Sequence, residues 1–257
     1  MLGAVKRIVD RTNWRIVRSI EAPDELPEAT ASDLLTLRSV RDYTMTSAER
    51  QWALINAVHH VCQAQVVGDI VECGVWRGGA AMAAALTLLG QGSTERRLWL
   101  FDTFEGMTAP GESDGATALG TWLRRRRTDG GSNWCRATLD EVRANLRSTG
   151  YPSEQIRFVK GRVEETLTDP TCLPEVIAVL RLDTDWYEST RVELECLYQR
   201  LAPGGVLIID DYGYWQGARR AVDEFFAASG DKVLLNRIDT TGRIAVKPYA
   251  KPSLPDR

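Results

Sequence analysis

Residues 68–79 read GDIVECGVWRGG, a short apolar run that breaks into a glycine-rich turn. The run over 69–73 has the length and composition of a strand covered on both faces. Gly74, Gly78 and Gly79 allow a sharp backbone turn and close approach to a ligand. Residues 80–89 then form a small-residue apolar helix, whose first amides can face an anionic group such as a carboxylate. The spacing from Glu72 is Glu-x-Gly-x-x-x-Gly, not the Gly-x-Gly-x-x-Gly of dinucleotide-binding folds. Alone, this stretch reads equally well as an ordinary strand–helix turn.

Working outward, the same alternation repeats. Strands are expected at 98–102 (LWLFD), 156–160, 176–183 (VIAVLRLD) and 205–211 (GVLIIDD), with helices at 139–148, 163–167, 189–201 and 217–229. Alternating strands and helices predict an α/β fold with a mostly parallel sheet and helices on both faces. Strands 232–237 and 243–247, joined by a turn at 239–242, predict an antiparallel hairpin at one edge. Upstream, Thr46 or Ser47 can cap a helix from Ala48 to about residue 65. Residues 1–20 place Val5, Ile8, Val9, Ile16 and Ile20 near one helical face. That face suits docking on the body or on a second subunit, or attachment to a membrane surface. Residues 21–33 read as a linker. The chain therefore divides into an N-terminal helical extension, 1–65, and an α/β domain, 66–257. Within the latter, 107–137 is too long for an ordinary connection and reads as a mobile substrate segment. Its run Arg124–Arg127 reads as a solvated face or an anion-binding lid.

Composition narrows the class. The 257 residues are 44% hydrophobic and 26% charged, enough for a full core without disulfide staples. A net charge of −3 argues against a dedicated nucleic-acid binder. No apolar run reaches the roughly 18 residues of a membrane span, and the N-terminus lacks the apolar region of a signal peptide. Five scattered cysteines without a Cys-x-x-Cys pair suit free thiols in the cytoplasm. With His59 and His60 as the only histidines, a His-rich metal site or catalytic triad is disfavoured.

In open α/β sheets the ligand site lies outside the carboxyl ends of the strands. Asp102, ending the second strand, can accept ribose hydroxyls or cap a helix. Asp183 and Asp185, then Asp210 and Asp211, fall at two neighbouring strand ends. Burying so much like charge is costly unless a cation neutralises it, and an all-oxygen donor set suits Mg²⁺; the alternative is a set of helix N-caps and solvated charges. Trp186, Tyr187, Tyr212, Tyr214 and Trp215 crowd the same edge, as sugar-facing platforms or as rim packing.

Together, GDIVECGVWRGG (68–79), FDTFEG (101–106), RLDTDWYEST (181–190) and PGGVLIIDDY (203–212) resemble the macrocin O-methyltransferase family (TylF/MycF type). The resemblance runs from about residue 40 to 247. It implies a Rossmann-like class I methyltransferase fold, with a seven-stranded, mostly parallel sheet and an antiparallel edge strand. It also implies S-adenosyl-L-methionine and Mg²⁺ as cofactors and a deoxysugar hydroxyl of a glycosylated natural product as acceptor. By motif position, Glu72, Gly74, Trp76, Arg77, Gly78 and Gly79 hold the methionine part of the cofactor, with Asp183 beside it. Asp102 and Phe104 serve the ribose side, and Gly161 and Val163 flank the adenine. Thr44 and Met45 belong to a stretch that closes over the cofactor. Asp183, Asp210 and Asp211 are the implied metal ligands and Asp185 the general base, with Trp186, Tyr187 and Tyr212 as substrate contacts. Some members carry a histidine in the mobile segment, whereas 107–137 here has none. A homodimer or larger assembly is the expected state. The alternatives are a metal-dependent methyltransferase of a catechol or other small diol, and a catalytically silent binding subunit with the same fold.

Overall fold

The computed structural model describes residues 26–249. The helix expected over 1–20 lies outside them, as do the first residues of the expected linker. Seven strands form one sheet: β1 (Asp69–Cys73), β2 (Leu98–Asp102), β3 (Ile156–Lys160), β4 (Ile177–Leu182), β5 (Leu201–Ile209), β6 (Asn236–Arg237) and β7 (Arg243–Val246). Their order is β3-β2-β1-β4-β5-β7-β6. The first five are parallel, and β7 runs antiparallel to both β5 and β6. The described helices are α1 (Ala31–Val40), α2 (Ala48–Gln63), α3 (Gly79–Gly90), α4 (Gly115–Leu123), α5 (Leu139–Ser148), α6 (Val163–Thr166), α7 (Tyr187–Leu197) and α8 (Gln216–Ser229). This is the mostly parallel α/β sheet with an antiparallel edge that the alternation predicts.

The pleat sorts the core. Ile70, Leu98 and Leu100 face one apolar layer with residues of α2, α3 and α5, including Val58, Ala84, Leu88 and Leu146. Val71, Cys73 and Phe101, one residue out of phase, face a second layer with Val163, Leu194, Leu197 and Val222. The central strands are therefore apolar on both faces. In α3, residues Ala80 to Ala85 are all buried, and all but Met82 are alanines, which lets the helix lie close to the sheet. None of the helices among the described residues is long and apolar enough to cross a membrane.

Five elements differ from expectation, one of them α4, which lies inside the segment 107–137 expected as a mobile loop. Helix α1 replaces the end of the expected linker. Thr30 Oγ1 accepts the Asp33 N–H at 3.2 Å, and the Thr30 N–H donates to Asp33 Oδ2 at 2.9 Å. That capping box fixes a helix start that periodicity hides, because Leu35 is 62% exposed while Thr36 is buried. Helix α7 starts two residues early because the Tyr187 N–H finds Asp114 Oδ1 at 2.7 Å. Strand β5 starts four residues early, at Leu201, which pairs with Ile177 across a register shift. Strand β6 shortens to the two residues that pair with β7.

Candidate active site

A cavity of about 900 Å³ opens at the carboxyl ends of the parallel strands. One side is built from the turns after β1 and β2. Asp102 Oδ2 accepts the Val75 and Trp76 N–H groups at 2.6 and 3.1 Å, and Oδ1 accepts the Phe104 N–H at 2.6 Å. Asp102 thus ties the two turns together while lining the cavity. Burial raises its carboxyl pKa, and those three N–H groups oppose the shift. Trp76 and Phe104 sit at φ 47° and 54°, a strained region for side-chain-bearing residues that recurs at functional sites. Gly74, at φ 83°, serves a close approach. A Cβ there would come within 2.6 Å of the Asp183 carbonyl carbon, so the turns after β1 and β4 meet backbone to backbone.

Glu72 is buried among the cavity residues. Its Oε1 accepts Arg181 Nη1 at 2.5 Å, while Oε2 has no hydrogen-bond partner. Burial pushes this carboxyl up to about 7, against the pull of Arg181. An unsatisfied buried oxygen fits a ligand ammonium. The segment 43–46 lies across the start of α3, where a Cβ on Gly79 would stand 2.6 Å from the Tyr43 carbonyl carbon. Gln51 Nε2 fixes that segment by donating to Thr44 Oγ1 at 3.1 Å and Thr46 Oγ1 at 2.6 Å. Thr44, Met45, Trp76, Gly161 and Val163 line the cavity. Arg77, Gly78 and Phe104 stand behind the wall. Arg77 bonds Glu141 and the Asp42 carbonyl, each at 2.8 Å. Gly78 is the αL residue before α3, and Phe104 packs on Phe158.

The other side is acidic. Carboxylate oxygens of Asp183, Asp185 and Asp211 all lie within 4.8 Å of one another. The ligand set expected from the sequence is Asp183, Asp210 and Asp211. Asp210 instead has both oxygens engaged, Oδ1 by Arg181 Nη2 at 2.7 Å and Oδ2 by Arg50 Nη1. Arg181 also reaches Asp183 Oδ2 at 2.7 Å. Burial, reinforced by neighbouring carboxylates, holds the Asp183 and Asp211 carboxyls well above the usual range. Burial pushes Asp185 up to about 7, with hydrogen bonds from Asp211 and Trp215 opposing. Asp185 sits at φ 73°. The preceding Thr184 hydroxyl holds the turn, donating to Glu193 Oε1 at 2.8 Å and meeting the Ser189 hydroxyl at 2.8 Å. Seven carboxylates and three guanidiniums line the cavity. That excess, converging through oxygen atoms alone, fits a hard divalent cation.

The aromatic expectation needs correction. Trp186, Tyr187 and Tyr212 do not line the cavity. Trp186 is buried, with its indole N–H bound to the Thr108 carbonyl at 3.0 Å. The Tyr187 hydroxyl bonds Glu224, and the Tyr212 hydroxyl bonds Asp223. The wall is made by Met107, Trp134, Cys135, Tyr214 and Trp215. Trp134, Trp186 and Trp215 pack edge to face, with centroids 5.2–5.9 Å apart. The segment 107–137 contains α4 and is folded onto the starts of α7 and α8. Its Arg127 pairs with Asp129 at 2.9 Å, and Arg125 and Arg126 lie over Trp134 and Trp122.

Sequence reasoning passes over Arg50, Arg181, Trp134 and Cys135. Only Arg181 leaves a signal, a lone charge inside the apolar run VIAVLRLD, which burial forces into an ion pair.

The family model for macrocin O-methyltransferase (TylF) matches residues 14–246. The chain is 38% identical over 200 residues to 8-demethyl-8-(2,3-dimethoxy-alpha-L-rhamnosyl)-tetracenomycin-C 4'-O-methyltransferase of Streptomyces olivaceus, covering 78% of this chain and 74% of the relative. It is 32% identical over 200 residues to mycinamicin III 3''-O-methyltransferase of Micromonospora griseorubida, covering 78% and 76%. The solved structure of the O-methyltransferase NovP superposes with a TM-score of 0.71 at 34% identity, covering 80% of this chain and 83% of that one.

Proposed function

The chain belongs to the macrocin O-methyltransferase family, and from that premise we propose that it transfers a methyl group from S-adenosylmethionine to a deoxysugar hydroxyl. The acceptor is a glycosylated, antibiotic-type natural product, and Mg²⁺ assists. The observation that carries this reading is the convergence of Asp183, Asp185 and Asp211 in one cavity with the unsatisfied Glu72 Oε2. The relatives' sugar acceptors support it.

On this reading Glu72, Gly74 and the start of α3 hold the methionine end, Asp102 the ribose, and Gly161 and Val163 the adenine. Thr44 and Met45 cover it. Asp183 and Asp211 would hold the cation, with Asp185 beside them and Asp210 paired to Arg50 and Arg181. The cation, when bound, supplies the charge that makes a vicinal hydroxyl acidic. Asp185 takes the hydroxyl proton on its carboxylate. A free Asp, with a pKa of about 3.9, is a weak base for this task; burial raises Asp185 above the ordinary range, and the bound cation would in turn acidify the hydroxyl that it has to deprotonate. Met107, Trp134, Tyr214 and Trp215 offer an apolar wall to the aglycone. The cavity's guanidiniums face carboxylates: Arg50 and Arg181 as above, and Arg162 through Glu164 at 3.5 Å. An anionic acceptor would therefore meet the acidic cluster without a free cation among the cavity's described residues, which favours a neutral glycoside. The reading includes a cytoplasmic homo-oligomer, for which light scattering reads the assembly.

The test is calorimetric titration with S-adenosylhomocysteine in MgCl₂, followed by an acceptor panel of neutral glycosides, nucleotide sugars and catechols read by mass spectrometry. Binding at about a micromolar or better and a mass gain of one methyl group on a glycoside are expected. No detectable binding at about 100 times that concentration would overturn the cofactor assignment, and methylation of catechols alone would overturn the acceptor.

A further inference from the structure

We propose that Arg50 is a built-in counter-ion that competes with the divalent cation for Asp210, so that one arginine sets the affinity of the cation site and links it to the helix that supports the cofactor cover. The inference rests on the cation-binding part of the reading above.

Asp210 is 1% exposed, and both of its oxygens face guanidinium groups. The two arginines are not equivalent. Arg181 stands near the carboxyl end of β4, buried in the sheet, and is held from three sides, by Glu72, Asp183 and Asp210. It cannot leave without uncovering buried carboxylates in the sheet. Arg50 comes from outside the sheet, on the first turn of α2, and has a second place to go. Its Nε lies 3.0 Å from Asp239 Oδ2 in the turn between β6 and β7. Asp239 is itself fixed there, accepting the Ser47 hydroxyl at 2.9 Å and the Thr241 and Gly242 N–H groups at 2.8 and 2.7 Å. Arg50 can therefore give up Asp210 and keep a charged partner.

A cation seated among Asp183, Asp185 and Asp211 meets Asp210 next in the chain to one of its own ligands. It attracts that carboxylate and repels Arg50. The release is felt in α2. The next residue, Gln51, holds Thr44 and Thr46 through its side-chain amide, and these line the cavity. Loosening Arg50 loosens the first turn of α2, and with it the support of residues 44–46. Cation and cover thus share one ion pair, and their occupancies are thermodynamically coupled.

The experiment is calorimetric titration of the full chain with MgCl₂, without acceptor, for wild type, Arg50→Gln, Arg50→Lys and Asp239→Asn. Hydrogen exchange at residues 44–52 is followed in parallel. Removing the competing charge in Arg50→Gln should tighten Mg²⁺ binding about tenfold. Arg50→Lys, which keeps the charge, should stay nearer wild type. Asp239→Asn leaves Arg50 with Asp210 alone and should weaken Mg²⁺. MgCl₂ should speed exchange at 44–52 in wild type and leave Arg50→Gln unchanged. Mg²⁺ binding no tighter in Arg50→Gln than in wild type overturns the proposal. Should that variant not fold, undiminished Mg²⁺ affinity in Asp239→Asn overturns it instead. Absence of Mg²⁺ binding by wild type overturns both this inference and the cation reading beneath it.

Discussion

At the scale of single residues, the site depends on charges placed where the fold makes them costly. Asp185 combines a strained φ of 73° with a carboxyl raised to about 7 by burial. Asp185→Asn should lose turnover by at least about 100-fold, the usual scale for a positioned base. Calorimetry should find S-adenosylhomocysteine binding little changed, and wild-type turnover in this variant would remove the base assignment. The pH dependence has a defined sign. The base works unprotonated, so kcat/KM should rise with pH through an acidic limb that lies above the ordinary Asp value, because burial raises the Asp185 carboxyl. Raising MgCl₂ should move that limb to lower pH, because a nearby cation favours the carboxylate. A limb that moves upward with MgCl₂ would contradict the placement. These aspartates are legible in the sequence because two acidic doublets at adjacent strand ends repel one another unless a cation joins them. Arg50 is not, because an arginine on an amphipathic helix looks like any solvated charge until the fold sets it against Asp210.

Among elements, the segment 107–137 shows where reading by pattern reaches its limit. Its length and glycine content mark it as unusual, but α4 begins at Gly115 without a side-chain cap and so announces nothing. What orders it is tertiary. Asp114 is 3% exposed, accepts the Gly111 N–H at 2.7 Å, and satisfies the first N–H of α7 across the chain. It also crowds α8, where a Cβ on Gly217 would stand 3.0 Å from the Asp114 carboxyl carbon. Distance in sequence likewise hides the start of α7 from local pattern: its cap lies 73 residues away. Asp114→Ala should cost about 1–2 kcal/mol, as loss of a helix cap does. It should also loosen the segment from the tryptophan cluster. Limited proteolysis should then cut within 107–137 faster than in wild type, and the acceptor KM should rise while S-adenosylhomocysteine affinity stays level. Equal proteolysis of the two proteins would show that the segment is anchored elsewhere.

For the whole molecule, the sheet order follows from apolar runs, but the balance of charge does not. A chain of net charge −3 concentrates seven carboxylates and three guanidiniums around one cavity. Full ionisation would give the cavity a charge of 3 − 7 = −4, beyond that of the whole chain, and ionising it opposes folding. The sign follows from the raised carboxyls. Asp183 and Asp211 are held well above their ordinary pKa in the folded chain. The unfolded value is about 3.9, so these groups cost no stability below it. Their cost grows as pH rises from there toward the folded values. In chelator at pH 8, Asp211→Asn should accordingly melt higher than wild type, although it removes a proposed ligand. With MgCl₂ the order should reverse. A ligand at 100 times its Kd stabilises by about 2.7 kcal/mol, which is roughly 5–10 °C for a chain of this size. Wild type should gain that increment and Asp211→Asn little of it. Melting both proteins by calorimetry in chelator and in MgCl₂ decides the matter. An Asp211→Asn protein that melts lower in chelator would mean that its carboxylate is satisfied within the fold. One that gains as much as wild type from MgCl₂ would mean that the cation sits elsewhere.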